Sequence, residues 1–144
     1  MPGTPTFLTR VQDLIDSIRL KLQGQSSIGA QGERAAANML KGKRYRLMAR
    51  NLRNRFGEID LLALAPDGRT VVIVEVKTAE GPNALPELRV DKKKQKRLTT
   101  LAAQVVRRYK LKDKPIRFDV IAVNLGADNE PSIRHYEAAF DSHV

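Results

Sequence analysis

Cysteine is absent from this 144-residue chain, which excludes disulfides, thiol nucleophiles and cysteine-ligated zinc together. Only two histidines occur, His135 and His143, so a metal would be held mainly by oxygen. Tryptophan is also absent and aromatics make up 5% of the residues, too few for recognition of nucleic-acid bases by stacking alone. No apolar run reaches the length of a membrane-spanning helix, and "MPGTPTFLTR" lacks both the basic and the apolar regions of a secretory signal. The cytoplasm is the expected compartment. What is present is 42% hydrophobic residues, enough for one domain with a packed core.

The net charge is +10, unevenly spread. Residues 41–55 hold seven Lys or Arg and no acid, and residues 86–115 hold eleven against three acids. The acidic segment 56–85, with net charge −3, lies between them. A basic run is most often a solvated face. Two of them in one small domain point instead to a polyanion, because neutralising phosphates requires only Lys and Arg. Nucleic acid, most simply DNA, is the expected partner, and a membrane surface is the rival. The expected contacts are Arg50, Arg53, Arg55, Lys92, Lys93, Lys94, Lys96 and Arg97, joined by Lys43, Arg44 and Arg46 along one groove.

Apolar spacing at Val11, Leu14, Ile15, Ile18 and Leu22 predicts an amphipathic helix, followed by "QGQSS". Residues 1–27 are read as that helix plus a linker, and 28–144 as the domain proper. A second helix is expected from Ser26 or Ser27 to Leu40, ended by Gly42. "RYRLMARN", "GEIDLLALA" and Val71–Lys77 read as strands, Asp91–Lys110 as a helix with a stripe of Leu98, Leu101, Ala102, Val105 and Tyr109, and "IRFDVIAVNL" and "SIRHYEAAF" as closing strands. This order predicts an α/β sandwich with a mixed sheet. "IDLLALA" and "VVIVEV" are apolar on consecutive residues and are expected at its centre.

Charged residues then intrude at one end of these apolar strands. An Asp-Gly pair at 67–68 favours a two-residue hairpin turn, so that opposite residues number 135 in sum. Asp60 then faces Glu75, Glu58 faces Lys77, and all four share one face of the sheet. Carboxylates opposed in a buried sheet are unfavourable unless something holds them. A Mg²⁺ or Mn²⁺ ion bound by Asp60, Glu75 and the Val76 carbonyl would do so, with Lys77 beside it to handle a proton or the charge growing on a phosphate. The plainer reading is a solvated Glu-x-Lys at a strand end. The hairpin register, the opposed acid and the flanking basic segments together favour a phosphodiester-hydrolysis site.

"IDLLALAPDGRTVVIVEVK" resembles the core motif of restriction-endonuclease-like nucleases. More specifically, "GAQGERAAANML", "RNLRNRFGEIDLLAL", "VVIVEVKT" and "RFDVIAV", in that order, resemble the small bacterial YraN-like proteins, a family similar to archaeal Holliday-junction resolvases. The resemblance spans residues 28 to 140. It implies a three-layer sandwich, DNA as substrate, Asp60 and Glu75 as metal ligands and Lys77 in the catalytic role. It also adds Glu33 on the first helix near the metal. Glu58 belongs to the YraN-like pattern only, with pairing to Lys77 as its first expected role and metal ligation as its second. The related resolvases are dimers, so a homodimer follows as an expectation. Gln95 is a further candidate near the site. Asp119 is expected to pair with Arg117 or Arg46, and His135 to be a strand residue. The alternative to an endonuclease is a non-catalytic module of the same fold that binds DNA or RNA.

Overall fold

The computed structural model describes residues 27–81, 89–108, 110–126 and 131–141. The N-terminal amphipathic segment, Tyr109, His143 and most of the "EGPNALPE" loop lie outside them. Two helices and five strands follow in the order α1 (Ile28–Gly42), β1 (Arg46–Asn54), β2 (Gly57–Leu64), β3 (Val71–Glu80), α2 (Lys92–Arg108), β4 (Ile116–Leu125) and β5 (Pro131–Phe140). The strands form one sheet in chain order, antiparallel except for the β3–β4 pair, which is parallel and is bridged by α2.

Helix α1 starts where Ser27 Oγ accepts the Ala30 N–H at 3.1 Å. Its small buried face of Gly32, Ala36, Ala37 and Leu40 lies on Leu61, Ala63, Val72, Val74, Ile121 and Val123. Helix α2 covers the other face, packing Leu98, Leu101 and Ala102 on Leu62, Val71, Ile73, Phe118 and Val120. The two layers explain why β2, β3 and β4 are apolar on consecutive residues, and why β5 at the edge is mostly exposed.

The predicted hairpin register is observed, but the predicted turn is not. Leu61, Leu62, Ala63 and Leu64 face Val74, Ile73, Val72 and Val71. The first bond across the loop joins the Ala65 N–H to the Thr70 carbonyl at 2.9 Å, so four residues turn the chain rather than two. Pro66 suits the second position of a type I turn. Asp67 Oδ1 then takes the Arg69 and Thr70 N–H groups at 2.8 and 2.9 Å. A loop longer by two residues leaves the pairing unchanged.

Gly32 sets the height of α1 above the sheet. A Cβ there would stand 2.0 Å from Thr78 Oγ1 and 2.9 Å from Thr78 Cβ, so only glycine permits this approach. Gly32→Ala is expected to cost about 1–3 kcal/mol in chemical denaturation, as overpacking does, and to lift Glu33 from the strands beneath it.

Candidate metal and phosphodiester site

At the end of the sheet formed by the close of β1, the start of β2 and the close of β3, the ladder between β2 and β3 stops. The last pair is Leu61 with Val74, and the next N–H of β3 to face β2, that of Val76, donates to Asp60 Oδ2 at 2.8 Å. A side chain has replaced a backbone carbonyl as acceptor, and the two strands part around it. Groups of one residue in a strand point the same way, so the Val76 carbonyl faces the same gap.

Three carboxylates from two elements meet there. Glu33 of α1 and Glu58 and Asp60 of β2 each offer an oxygen, all within 4.8 Å of one another. Glu75 of β3 is 4% exposed, and its Oε2 is buried with no hydrogen-bond partner. Its Oε1 is bonded by Lys94 Nζ and lies 4.0 Å from Lys77 Nζ. Burial, then repulsion from Glu75, pushes the Asp60 carboxyl up to about 8, against the Val76 N–H that lowers it. Burial raises Glu33 as well, although a hydrogen bond with Asn51 opposes the shift. A buried carboxylate oxygen without a donor, beside acids that resist ionisation, fits a binding site for a divalent cation. The all-oxygen donor set suits Mg²⁺ or Mn²⁺.

Glu58 does not pair with Lys77. Its partner is Arg53 Nε at 3.1 Å, across the β1–β2 hairpin where Arg53 and Glu58 face each other. The Glu58 carboxylate also lies beside those of Asp60 and Glu33. Gln95, the further candidate, donates its Nε2 to the Val90 carbonyl at 2.6 Å and secures the start of α2.

The basic residues divide between the two ends of the sheet. Arg53, Lys94 and Arg97 line a cavity of about 490 Å³ with Asn54, Gly57, Glu58, Asp60 and Leu98. Lys92, Lys93 and Lys96 are exposed on the first turns of the same helix. Arg55 lies over the Phe56 ring at 4.7 Å in the adjoining turn, and Phe56 is 39% exposed. Arg50 is half-buried in mid-β1 opposite Leu61, outside that lining. Lys43, Arg44 and Arg46 stand at the other end of β1, about 25 Å away at a strand rise of about 3.3 Å per residue. A single groove does not contain them all.

Asp119 forms a separate cluster near that far end. It is fully buried, and although burial would raise its carboxyl, bonds from His135, Arg117 and the Ala138 N–H hold it below the usual range. Arg117 binds it through Nε and Nη2, both at 2.8 Å, and His135 Nε2 at 2.7 Å. The expected Arg117 pair is present and Arg46 takes no part.

Sequence reasoning placed Lys94 among the DNA contacts and missed its bond to Glu75. A signal existed: Lys94 lies one turn before Leu98 and two before Leu101, so the buried stripe extended backward meets it, whereas Lys92, Lys93 and Lys96 fall off that stripe.

A five-stranded mixed sheet between two helices, with acids gathered where two central strands part, defines an α/β sandwich of the restriction-endonuclease-like class. The chain belongs to the uncharacterised protein family UPF0102, the YraN family, whose model matches residues 32–123. It is 43% identical to a UPF0102 protein of Symbiobacterium thermophilum over 114 residues, covering 78% of this chain and 95% of that relative. It is 38% identical to one of Trichlorobacter lovleyi over 120 residues, 83% and 94% of the two chains. Another, of Rhodopirellula baltica, is 38% identical over 138 residues, 92% and 82%. Among the described residues, no helix is long and apolar enough to cross a membrane.

Proposed function

We propose that this protein is a divalent-metal-dependent endonuclease that hydrolyses phosphodiester bonds in DNA. The observation that carries the reading is the junction where Glu33, Glu58 and Asp60 converge beside the unpartnered buried oxygen of Glu75, with the Lys77 ammonium 4.0 Å from that carboxylate. Asp60, Glu75 and the Val76 carbonyl would hold Mg²⁺ or Mn²⁺, with Glu33 and Glu58 within reach of the same centre. A bound ion there supplies Lewis acidity toward a phosphoryl oxygen and a more acidic water.

The chain's own groups supply the rest. Lys77, 23% exposed at its side chain, has one side on the acids and the other open to solvent. That position suits a neutral amine that takes a proton from the attacking water, or an ammonium that offsets charge on the phosphate. Arg53 and Arg97 in the neighbouring cavity suit the DNA backbone, and Lys92, Lys93 and Lys96 extend the positive surface. The exposed Phe56 under Arg55 suits a base left unstacked at a branch or flap, the class of repair intermediate we favour as substrate. A DNA substrate places this work in the cytoplasm.

The second reading, a non-catalytic module binding DNA or RNA, is supported by the basic surface alone. It leaves the grouped acids without a purpose, since they repel phosphate. Incubation of labelled duplex, flap, junction and RNA substrates with Mg²⁺ or Mn²⁺ separates the two. The proposal expects metal-dependent cleavage of one or more DNA substrates, abolished by EDTA. Binding to the whole panel with no cleavage of any member overturns it.

A further inference from the structure

Glu75 is deeply buried, and in the structure its carboxylate is met mainly by one side chain. Lys94 Nζ bonds its Oε1, and Asp60 and Glu58 add attraction for the same ammonium. The backbone holds the lysine in place, because Asp91 Oδ1 accepts the Lys94 N–H at 2.8 Å at the start of α2. A positive charge in the first turn of a helix opposes the macrodipole, so this lysine stands there against local preference. Its neighbours Lys92 and Lys93 turn to solvent, and of these three Lys94 alone reaches the acids.

Lys94 holds Oε1, and an ion bonded at about 2.0–2.1 Å to the unpartnered Oε2 of the same carboxylate would bring its two charges within a few ångströms of that ammonium and repel it. The lysine can yield. Its side chain is 42% exposed, on a flexible four-carbon stem, and it opens onto the cavity shared with Arg53 and Arg97.

We infer that Lys94 is the resident counter-cation of this centre: it neutralises Glu75 in the metal-free protein and is displaced toward the phosphate-binding cavity when the divalent ion enters. The inference rests on the reading of the carboxylates as a metal site. Lys94 is thus a positioning residue that acts through Glu75, and it makes metal entry and phosphate binding cooperative. Phosphate in the cavity holds the lysine away from Glu75, and metal on Glu75 releases it to the phosphate.

The test is calorimetric titration of the full-length protein with Mn²⁺, for wild type, Lys94→Met and, as a control of equal charge change on the exposed surface, Lys93→Met. Lys94→Met is expected to bind Mn²⁺ about tenfold more tightly or better, and Lys93→Met within about threefold of wild type. The metal-free Lys94→Met protein is expected to melt at lower temperature and to gain more from Mn²⁺ than wild type does. Should Lys94→Met fail to fold, the lysine side-chain NMR signals of wild type give the same answer. The Lys94 ammonium resonance, assigned by its loss in Lys94→Arg, is expected to shift on Mg²⁺ saturation while that of Lys93 stays. Mn²⁺ binding by Lys94→Met equal to or weaker than wild type, or an unmoved Lys94 resonance at saturation, overturns the inference and leaves the metal site standing. Absence of Mn²⁺ binding by every variant overturns the metal site itself.

Discussion

Lys77→Ala is expected to lower the single-turnover rate of DNA cleavage by about 10²–10⁴-fold while DNA binding changes by no more than about threefold. The split follows from its position. The run of buried residues on β3 ends at Glu75, Lys77 lies two residues beyond it, and its ammonium stands 4.0 Å from that carboxylate. Many cations, including Arg53, Arg97 and the lysines of α2, remain to bind the backbone, so affinity hardly depends on this one. Lys77→Arg is expected to recover little, because a planar guanidinium neither accepts a proton at neutral pH nor fits the space of an ammonium. Rate and affinity are measured separately, by quenched cleavage of a labelled substrate at saturating enzyme and by fluorescence anisotropy in Ca²⁺. Equal cleavage by wild type and Lys77→Ala would remove Lys77 from the site.

Asp60→Asn is expected to flatten the pH dependence of stability in the metal-free protein. In the folded state burial and Glu75 raise the Asp60 carboxyl to about 8 from an ordinary 3.8. The folded protein therefore holds this proton more tightly than the unfolded chain does. The resulting stabilisation is complete below about pH 4 and is lost as pH rises through about 8. Glu33, also raised by burial, contributes with the same sign. In EDTA, wild type is expected to melt at progressively lower temperature from about pH 5 to pH 9, and Asp60→Asn to show a much flatter profile. At pH 9 the variant is expected to lie about 5 °C above wild type. Saturating Mg²⁺ is expected to remove the decline in wild type only, since the cation then does what the proton did. Superimposable profiles for the two proteins in EDTA would show that Asp60 is not the strained acid described here.

The sandwich and the hairpin register were legible because they depend on period and parity. Consecutive apolar residues in "LLALA" and "VVIVEV" required cover on both faces, and α1 and α2 provide it. The Asp67–Gly68 signal gave the right pairing through the wrong turn, since a loop of two residues and one of four keep the same partners opposite. Extrapolating that ladder to Asp60 with Glu75 and to Glu58 with Lys77 failed, since its last pair is Leu61 with Val74. Whether a ladder continues depends on competition for each N–H, and the Asp60 side chain outcompetes a strand carbonyl for that of Val76.

Charge was legible by sign and not by place. Counting Lys and Arg along segments joined Lys43, Arg44 and Arg46 to Arg53 and Arg55, although a nine-residue strand carries the two groups to opposite ends of the sheet. Lys94 was counted with the solvated lysines because its neighbours are solvated, and only the phase of the helix distinguishes it. The close approach of Gly32 to Thr78, which brings Glu33 over the strand ends, joins residues 46 positions apart and leaves no local pattern. The Arg117–Asp119 pair was readable because two residues on one strand share a face.

The central claim is that Asp60 and Glu75 hold one divalent cation between two parting strands. Anomalous diffraction at the manganese edge, from crystals of wild-type protein grown with Mn²⁺, tests it most directly. A peak is expected that is bonded to carboxylate oxygens of both Asp60 and Glu75 and to the Val76 carbonyl, at roughly 2.0–2.4 Å, with Lys94 withdrawn from Glu75. A map at saturating Mn²⁺ with no peak among these carboxylates, or with its peak elsewhere on the chain, would contradict it.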